Sequence, residues 1–233
     1  MKDLKESIKE LETITDKKEI ESKLQLLGEK LINDYYIEVE GIKVEPLWVE
    51  AYYYNETRFA DCNTHMHDLQ KNRFGQLYFH RIGHGGFDIC LSLSENYYLS
   101  FLLKASLING KFNRQTDIES SFAEEGKSKE TLENAENILI KRENSLRHDV
   151  KFSKRVGVTK SCYAEDELAI YAFDALGNKE YNFTFAHKDL TPLAVETIKK
   201  YKQETNCTKK EGKNKCTELF GWTPDAVGKL FDN

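Results

Sequence analysis

Ile42-Lys43-Val44-Glu45-Pro46-Leu47-Trp48-Val49-Glu50-Ala51-Tyr52-Tyr53-Tyr54 is the stretch that decides the fold. Aliphatic, β-branched and aromatic residues run through it, so it reads as one long strand, with Pro46 marking an edge or a bulge. Gly41 separates it from Tyr35-Tyr36-Ile37-Glu38-Val39-Glu40, which predicts a hairpin. Glu50 interrupts the apolar pattern late on the strand. A carboxylate in such a setting is either partnered or chemically useful.

Upstream, Leu4, Ile8 and Leu11 recur at helical spacing, and Ile20, Leu24, Leu27 and Leu31 do so again. Asp16 with Glu19 forms a capping pair ahead of the second run. Downstream, residues 76–82, 86–94 and 97–108 read as strands, with Ser94-Glu95-Asn96 as the turn between the last two. Residues 111–150 turn polar and helix-forming, and read as a helical insertion. A last hairpin is expected from residues 167–174 and 179–186, joined at Ala175-Leu176-Gly177-Asn178. Helices close the chain, one from Pro192 and a short one from Pro224, since proline suits a first helical position. Strands grouped between helices point to an α+β fold with an antiparallel sheet.

The 233 residues include 39% hydrophobic and 12% aromatic ones, enough for a real core, and only 3 prolines and 13 glycines, so no linker divides the chain. One domain spanning 1–233 is expected. No run approaches eighteen uncharged apolar residues, which predicts a cytoplasmic protein without membrane contact. Five cysteines in no CxxC arrangement argue against a disulfide framework or a zinc ribbon. Neither a metal nor a cofactor is implied.

A net charge of −5 does not advertise a nucleic-acid binder, but its distribution is uneven. Residues 141–160 hold seven cations, Arg147, Lys151 and Lys154 among them, against Glu143 and Asp149, and residues 199–215 have a similar excess. Brought together, such segments form a phosphate-facing surface; apart, they are solvated faces.

Four of the six histidines, His65, His67, His80 and His84, fall within one short region beside Gly83, Gly85 and Gly86. A strand-borne glutamate near imidazoles and aromatic rings suits a water-activating site. For Glu50 the alternative is a structural pairing with a cation such as Lys104.

The run from Val49 to Ala105 resembles the methylpurine-DNA glycosylases, the alkyladenine type of 3-methyladenine glycosylase. Four blocks carry the likeness in order: Val49-Glu50-Ala51-Tyr52; the histidine loop from Asn63 to His67; Gly75-Gln76-Leu77-Tyr78-Phe79 with His84-Gly85-Gly86-Phe87; and Phe101-Leu102-Leu103-Lys104-Ala105. Arg155-Val156-Gly157-Val158 and Leu168-Ala169-Ile170-Tyr171 resemble that family's C-terminal strands. The resemblance implies a curved antiparallel sheet flanked by helices, and an enzyme that hydrolyses the N-glycosidic bond of a modified purine in DNA. It makes Glu50 the base that activates water and Tyr52 a ring stacked on the flipped-out base. His65 or His67 takes the place of the family's pocket histidine, Tyr78 forms a wall, and His80 stands where a second stacking tyrosine is expected. Leu91 replaces an asparagine that filters purines, and Lys104 an arginine that lines the site. His84, Gly85 and Gly86 correspond to the hairpin tip that fills the vacated space in the DNA stack. From the charge distribution rather than the resemblance, Arg147, Lys151 and Lys154 are the cations expected to meet phosphates. The alternative is a non-catalytic protein that binds a purine nucleotide in the same pocket.

Overall fold

Glu40 and Gly41 both have positive φ, 52° and 80°, the backbone that lets two strands turn back within two residues. Here they join β1 (Tyr35–Val39) to β2 (Ile42–Asn55), as the sequence predicts. The structure is a computed structural model describing residues 2–61, 64, 67–80, 86–153, 169–173, 187–220 and 223–232. It divides into two compact units, Met1–Phe173 and Asp174–Asn233.

The first unit opens with α1 (Lys2–Leu11) and α2 (Lys17–Asp34), whose predicted apolar residues are all buried. Asp16 caps α2 by accepting a hydrogen bond from the Glu19 amide at 2.9 Å. The sheet comprises β1, β2, β3 (Phe59–Ala60), β4 (Gln76–Phe79), β5 (Phe87–Cys90), β6 (Tyr98–Ile108), β7 (Lys111–Arg114), β8 (Leu139–Lys141), β9 (Asp149–Ser153) and β10 (Ala169–Phe173). It is curved, every pairing is antiparallel, and its main path runs β4-β5-β6-β2-β1-β8.

β2 is the hub of that sheet. One edge pairs with β6 along most of its length, and the other pairs in turn with β1, β10 and β3. The bulge expected near Pro46 is present and is matched by a second on the partner strand. Trp48 lies opposite Ala105 and Val49 opposite Leu103, so Leu47 and Lys104 both drop out of the ladder.

Residues 111–150 differ from the helical insertion expected of them. Asn109 and Gly110 again have positive φ, and this Asn-Gly turn sends the chain back as β7 along β6. The segment then forms α3 (Gln115–Glu124), α4 (Lys129–Asn134) and β8, which pairs with β1. Phe122 of α3 packs on Phe79 and Phe87, and Glu133 of α4 accepts a hydrogen bond from the Phe79 amide at 2.8 Å. An otherwise open edge of β4 is thereby met.

The second unit contains α5 (His187–Thr205), α6 (Lys209–Phe220) and α7 (Asp225–Lys229), which pack on one another. The helix expected from Pro192 starts earlier, and α6 is an additional helix that the proline signals do not predict. In the structure α5 starts at His187, and α6 is opened by a reciprocal cap, with the Glu211 amide donating to Thr208 Oγ1 and the Thr208 amide to Glu211 Oε2. Pro224 directly precedes α7. Of the last expected hairpin, 167–186, the first strand is β10, whereas its turn and second strand lie outside the described residues; no helix among the described residues is long and apolar enough to cross a membrane.

Candidate functional site

Strand alternation splits the sheet into two chemically different faces, because residues directly opposite in an antiparallel ladder point the same way. Val49, Ala51, Tyr53, Leu99, Phe101, Leu103, Phe87, Ile89, Leu77 and Phe79 share one face. All are buried, and Phe122 of α3 packs there. The other face holds Glu50, Tyr52, Ser100, Leu102, Asp88, Cys90, Gln76 and Tyr78. Its buried polar groups form two clusters.

Glu50 centres the first. It is 2% exposed and lies between Leu102 of β6 and Ala169 of β10. The Tyr52 hydroxyl donates to Glu50 Oε2 at 3.1 Å, and Lys104 Nζ stands 3.7 Å from Glu50 Oε1. Lys104 Nζ also sits 5.5 Å from the centre of the Trp48 ring. The cation that the alternative reading assigned to Glu50 is therefore present. It is aimed there from a bulge, a common device for redirecting a side chain.

The second cluster lies across Leu102, about 10 Å away at two strand spacings. Asp88, 2% exposed, has its Oδ1 at 3.0 Å from His80 Nε2 and accepts a hydrogen bond from the Tyr98 hydroxyl on Oδ2 at 2.9 Å. The Tyr98 oxygen also meets Ser100 Oγ and lies 3.0 Å from Gln70 Oε1, which accepts from the Cys90 thiol. Burial, with Asp88 beside it, pushes the Tyr98 hydroxyl well above its ordinary pKa, and burial does the same to the Cys90 thiol. Gln70 comes from the loop that follows the short 3-10 turn His67–Leu69, so this loop closes over part of the polar face.

Burial alone would lower the pKa of His80, but the Asp88 carboxylate outweighs it and the net shift is upward. A group whose pKa is higher folded than unfolded stabilises the fold while protonated. The contribution is full below the unfolded value of about 6.5 and is lost as pH rises through the folded one. The stability gap between wild type and His80→Gln, measured by urea titration across pH, is therefore expected to be widest near about pH 5 and to narrow above neutrality. A gap that widens with pH would contradict the pairing.

Of the residues singled out in the sequence, the structure gathers Glu50, Tyr52 and Lys104 in one cluster, with Tyr78 and His80 at the other. The Tyr78 and His80 rings meet edge to face, 5.5 Å between centroids. Leu91 is not among them: its amide bonds to the Leu99 carbonyl, which continues the ladder and puts its buried side chain with Leu99 and Tyr53 on the apolar face. Gly86 has φ 96° and its carbonyl accepts from the His80 amide; a Cβ there would stand 2.7 Å from Gln115 Cγ. His65, His84, Gly85 and Lys154 lie outside the described residues, His67 belongs to the 3-10 turn, and Lys151 lies on β9. Arg147 is exposed with φ 57°. Two other cations of that basic segment are committed internally, Lys141 to Asp3 and Arg142 to Glu45, both at 2.8 Å.

Asp88, Tyr98, Ser100 and Gln70 were missed by sequence reasoning. Asp88 carried the signal that singled out Glu50, an acid inside the apolar strand Phe87-Asp88-Ile89-Cys90. Among the described residues no group of histidine, cysteine and acidic side chains is arranged to hold a metal. No protein-family model matches the chain, and a search of curated proteins finds no match.

Proposed function

We propose that the polar face is the floor of an N-glycosidic hydrolase site that releases a modified purine from DNA. One observation carries this reading: a buried carboxylate, Glu50, held by the Tyr52 hydroxyl and the Lys104 ammonium on the face of the sheet opposite the core. Its place in the Val49-Glu50-Ala51-Tyr52 block that resembles the methylpurine-DNA glycosylases supports the same role. Glu50 holds a water against the sugar C1′ and takes its proton as the bond to the base breaks through an oxocarbenium-like state. Lys104 offsets the negative charge of the carboxylate before water is bound. Tyr52 and Tyr78 offer flat surfaces to a flipped base.

A second reading is a protein that binds a purine nucleotide without consuming it. It is favoured by the same ion pair, since Glu50 is already partnered by a cation. The two separate in one experiment. Wild-type protein is incubated in excess with DNA containing a methylated or deaminated purine, and free base is measured over time. In parallel, intact, mismatched and abasic duplexes compete with purine nucleotides at several salt concentrations. Base release with steep salt dependence supports the hydrolase, because several phosphates must be neutralised. Saturable nucleotide binding with no DNA affinity and no base release would replace it with the binder.

A further inference from the structure

The bulge at Lys104 places a primary amine beside a buried carboxylate, and this juxtaposition supports an activity beyond base removal. A carboxylate that only activates water does not require an amine. Truncating either member of a buried pair is costly, whereas replacing both by apolar residues is often neutral or stabilising, so stability alone does not explain the pair. Lys104 leaves the β2–β6 ladder, and its side chain, 18% exposed, reaches Glu50 Oε1 over the Trp48 ring. Tyr52 holds the other carboxylate oxygen, leaving Oε1 on the Lys104 side. Closed from 3.7 Å to hydrogen-bond distance, such a pair can pass one proton from nitrogen to oxygen, which turns the ammonium into a nucleophile for carbonyl carbon.

We propose that Lys104 is the nucleophile of an abasic-site lyase, acting on the aldehyde form of a base-free deoxyribose in DNA. The proposal rests on the reading of this face as a base-excision site. Lys104 passes a proton to Glu50, and its neutral Nζ adds to C1′. The carbonyl oxygen takes one proton from that nitrogen and a second from Glu50 and leaves as water, yielding a protonated imine and restoring the Glu50 carboxylate. Glu50 then removes a proton from C2′, the electron pair forms the C2′=C3′ bond, and the 3′ phosphate departs with the C3′–O bond pair and takes up the proton from Glu50. Water hydrolyses the imine, releasing an unsaturated aldehyde and freeing Lys104. No oxidant or reductant is consumed.

The test uses abasic DNA prepared beforehand by removing uracil with a separate enzyme, so its outcome is independent of whether this protein releases bases. Full-length protein is mixed with that DNA with and without sodium borohydride, which reduces an imine to a stable amine. The expected result is a borohydride-dependent covalent adduct, and strand cleavage 3′ to the abasic site without borohydride. Lys104→Arg, which keeps the charge, is expected to lose both by at least about a hundredfold, on the scale of removing a nucleophile. Peptide mapping of the wild-type adduct is expected to place the added mass on Lys104, a readout that holds even if the variant is poorly folded. No adduct from the wild type, or an adduct mapped to other lysines, overturns the proposal. Base release without an adduct leaves the hydrolase and removes the lyase; an adduct without base release does the reverse.

Discussion

Glu50→Gln is expected to slow base release by about two to four orders of magnitude, the range for removal of a positioned general base. Glutamine matches the volume of glutamate, and its carbonyl can still accept the Tyr52 hydroxyl, so the strand register with Leu102 and Ala169 is retained. What disappears is the proton acceptor, together with the charge facing Lys104. Ligand affinity should therefore change far less than turnover. Single-turnover base release and a thermal melt on one sample separate the two effects, and near wild-type release would take Glu50 out of the mechanism.

Lys104→Met is expected to destabilise the fold by about 3–5 kcal/mol, because it leaves the Glu50 carboxylate buried without its cation. Methionine keeps most of the side-chain volume, so the loss reports charge more than packing. The double variant Glu50→Gln/Lys104→Met should recover much of the loss, giving a coupling of about 1–3 kcal/mol in a double-mutant cycle. Urea midpoints at constant slope supply all four corners. A single-variant loss below about 1 kcal/mol would mean that water screens the pair as it screens exposed ones.

Features written in a few adjacent residues were legible in the sequence. Asp16 caps α2, Glu40-Gly41 turns the first hairpin, and Pro46 marks the bulge, because each acts through its own backbone and nearest neighbours. Asn109-Gly110 and the Thr208–Glu211 cap were of the same kind and equally readable, yet β7 and α6 were overlooked while composition took precedence over turn and cap chemistry. Non-local facts were not legible: no local pattern tells β8 to pair with β1 about a hundred residues earlier in the chain. In the site, Glu50 stands out as an acid in an apolar run, whereas nothing in the sequence singles out Lys104 among the cations as its partner. The bulge that aims Lys104 arises from two strands counted against each other. Leu91 shows the converse limit, since a likeness fixes a position along the chain while strand parity fixes the face.

The position of β10 beside β2 has a consequence for how the protein is made. Glu50 lies between Leu102, about fifty residues later, and Ala169, about a hundred and twenty later. Until synthesis has passed residue 173, the Trp48–Glu50 edge of β2 lacks its strand partner, and unpaired amides of that kind are what neighbouring chains add to. Pairings so distant also slow folding, because a long loop must close before its contacts form. A nascent chain or a C-terminally shortened product would thus carry every residue of the Glu50–Tyr52–Lys104 cluster while offering an adhesive edge beside it, so that the buried polar cluster is among the last parts of the molecule to become real.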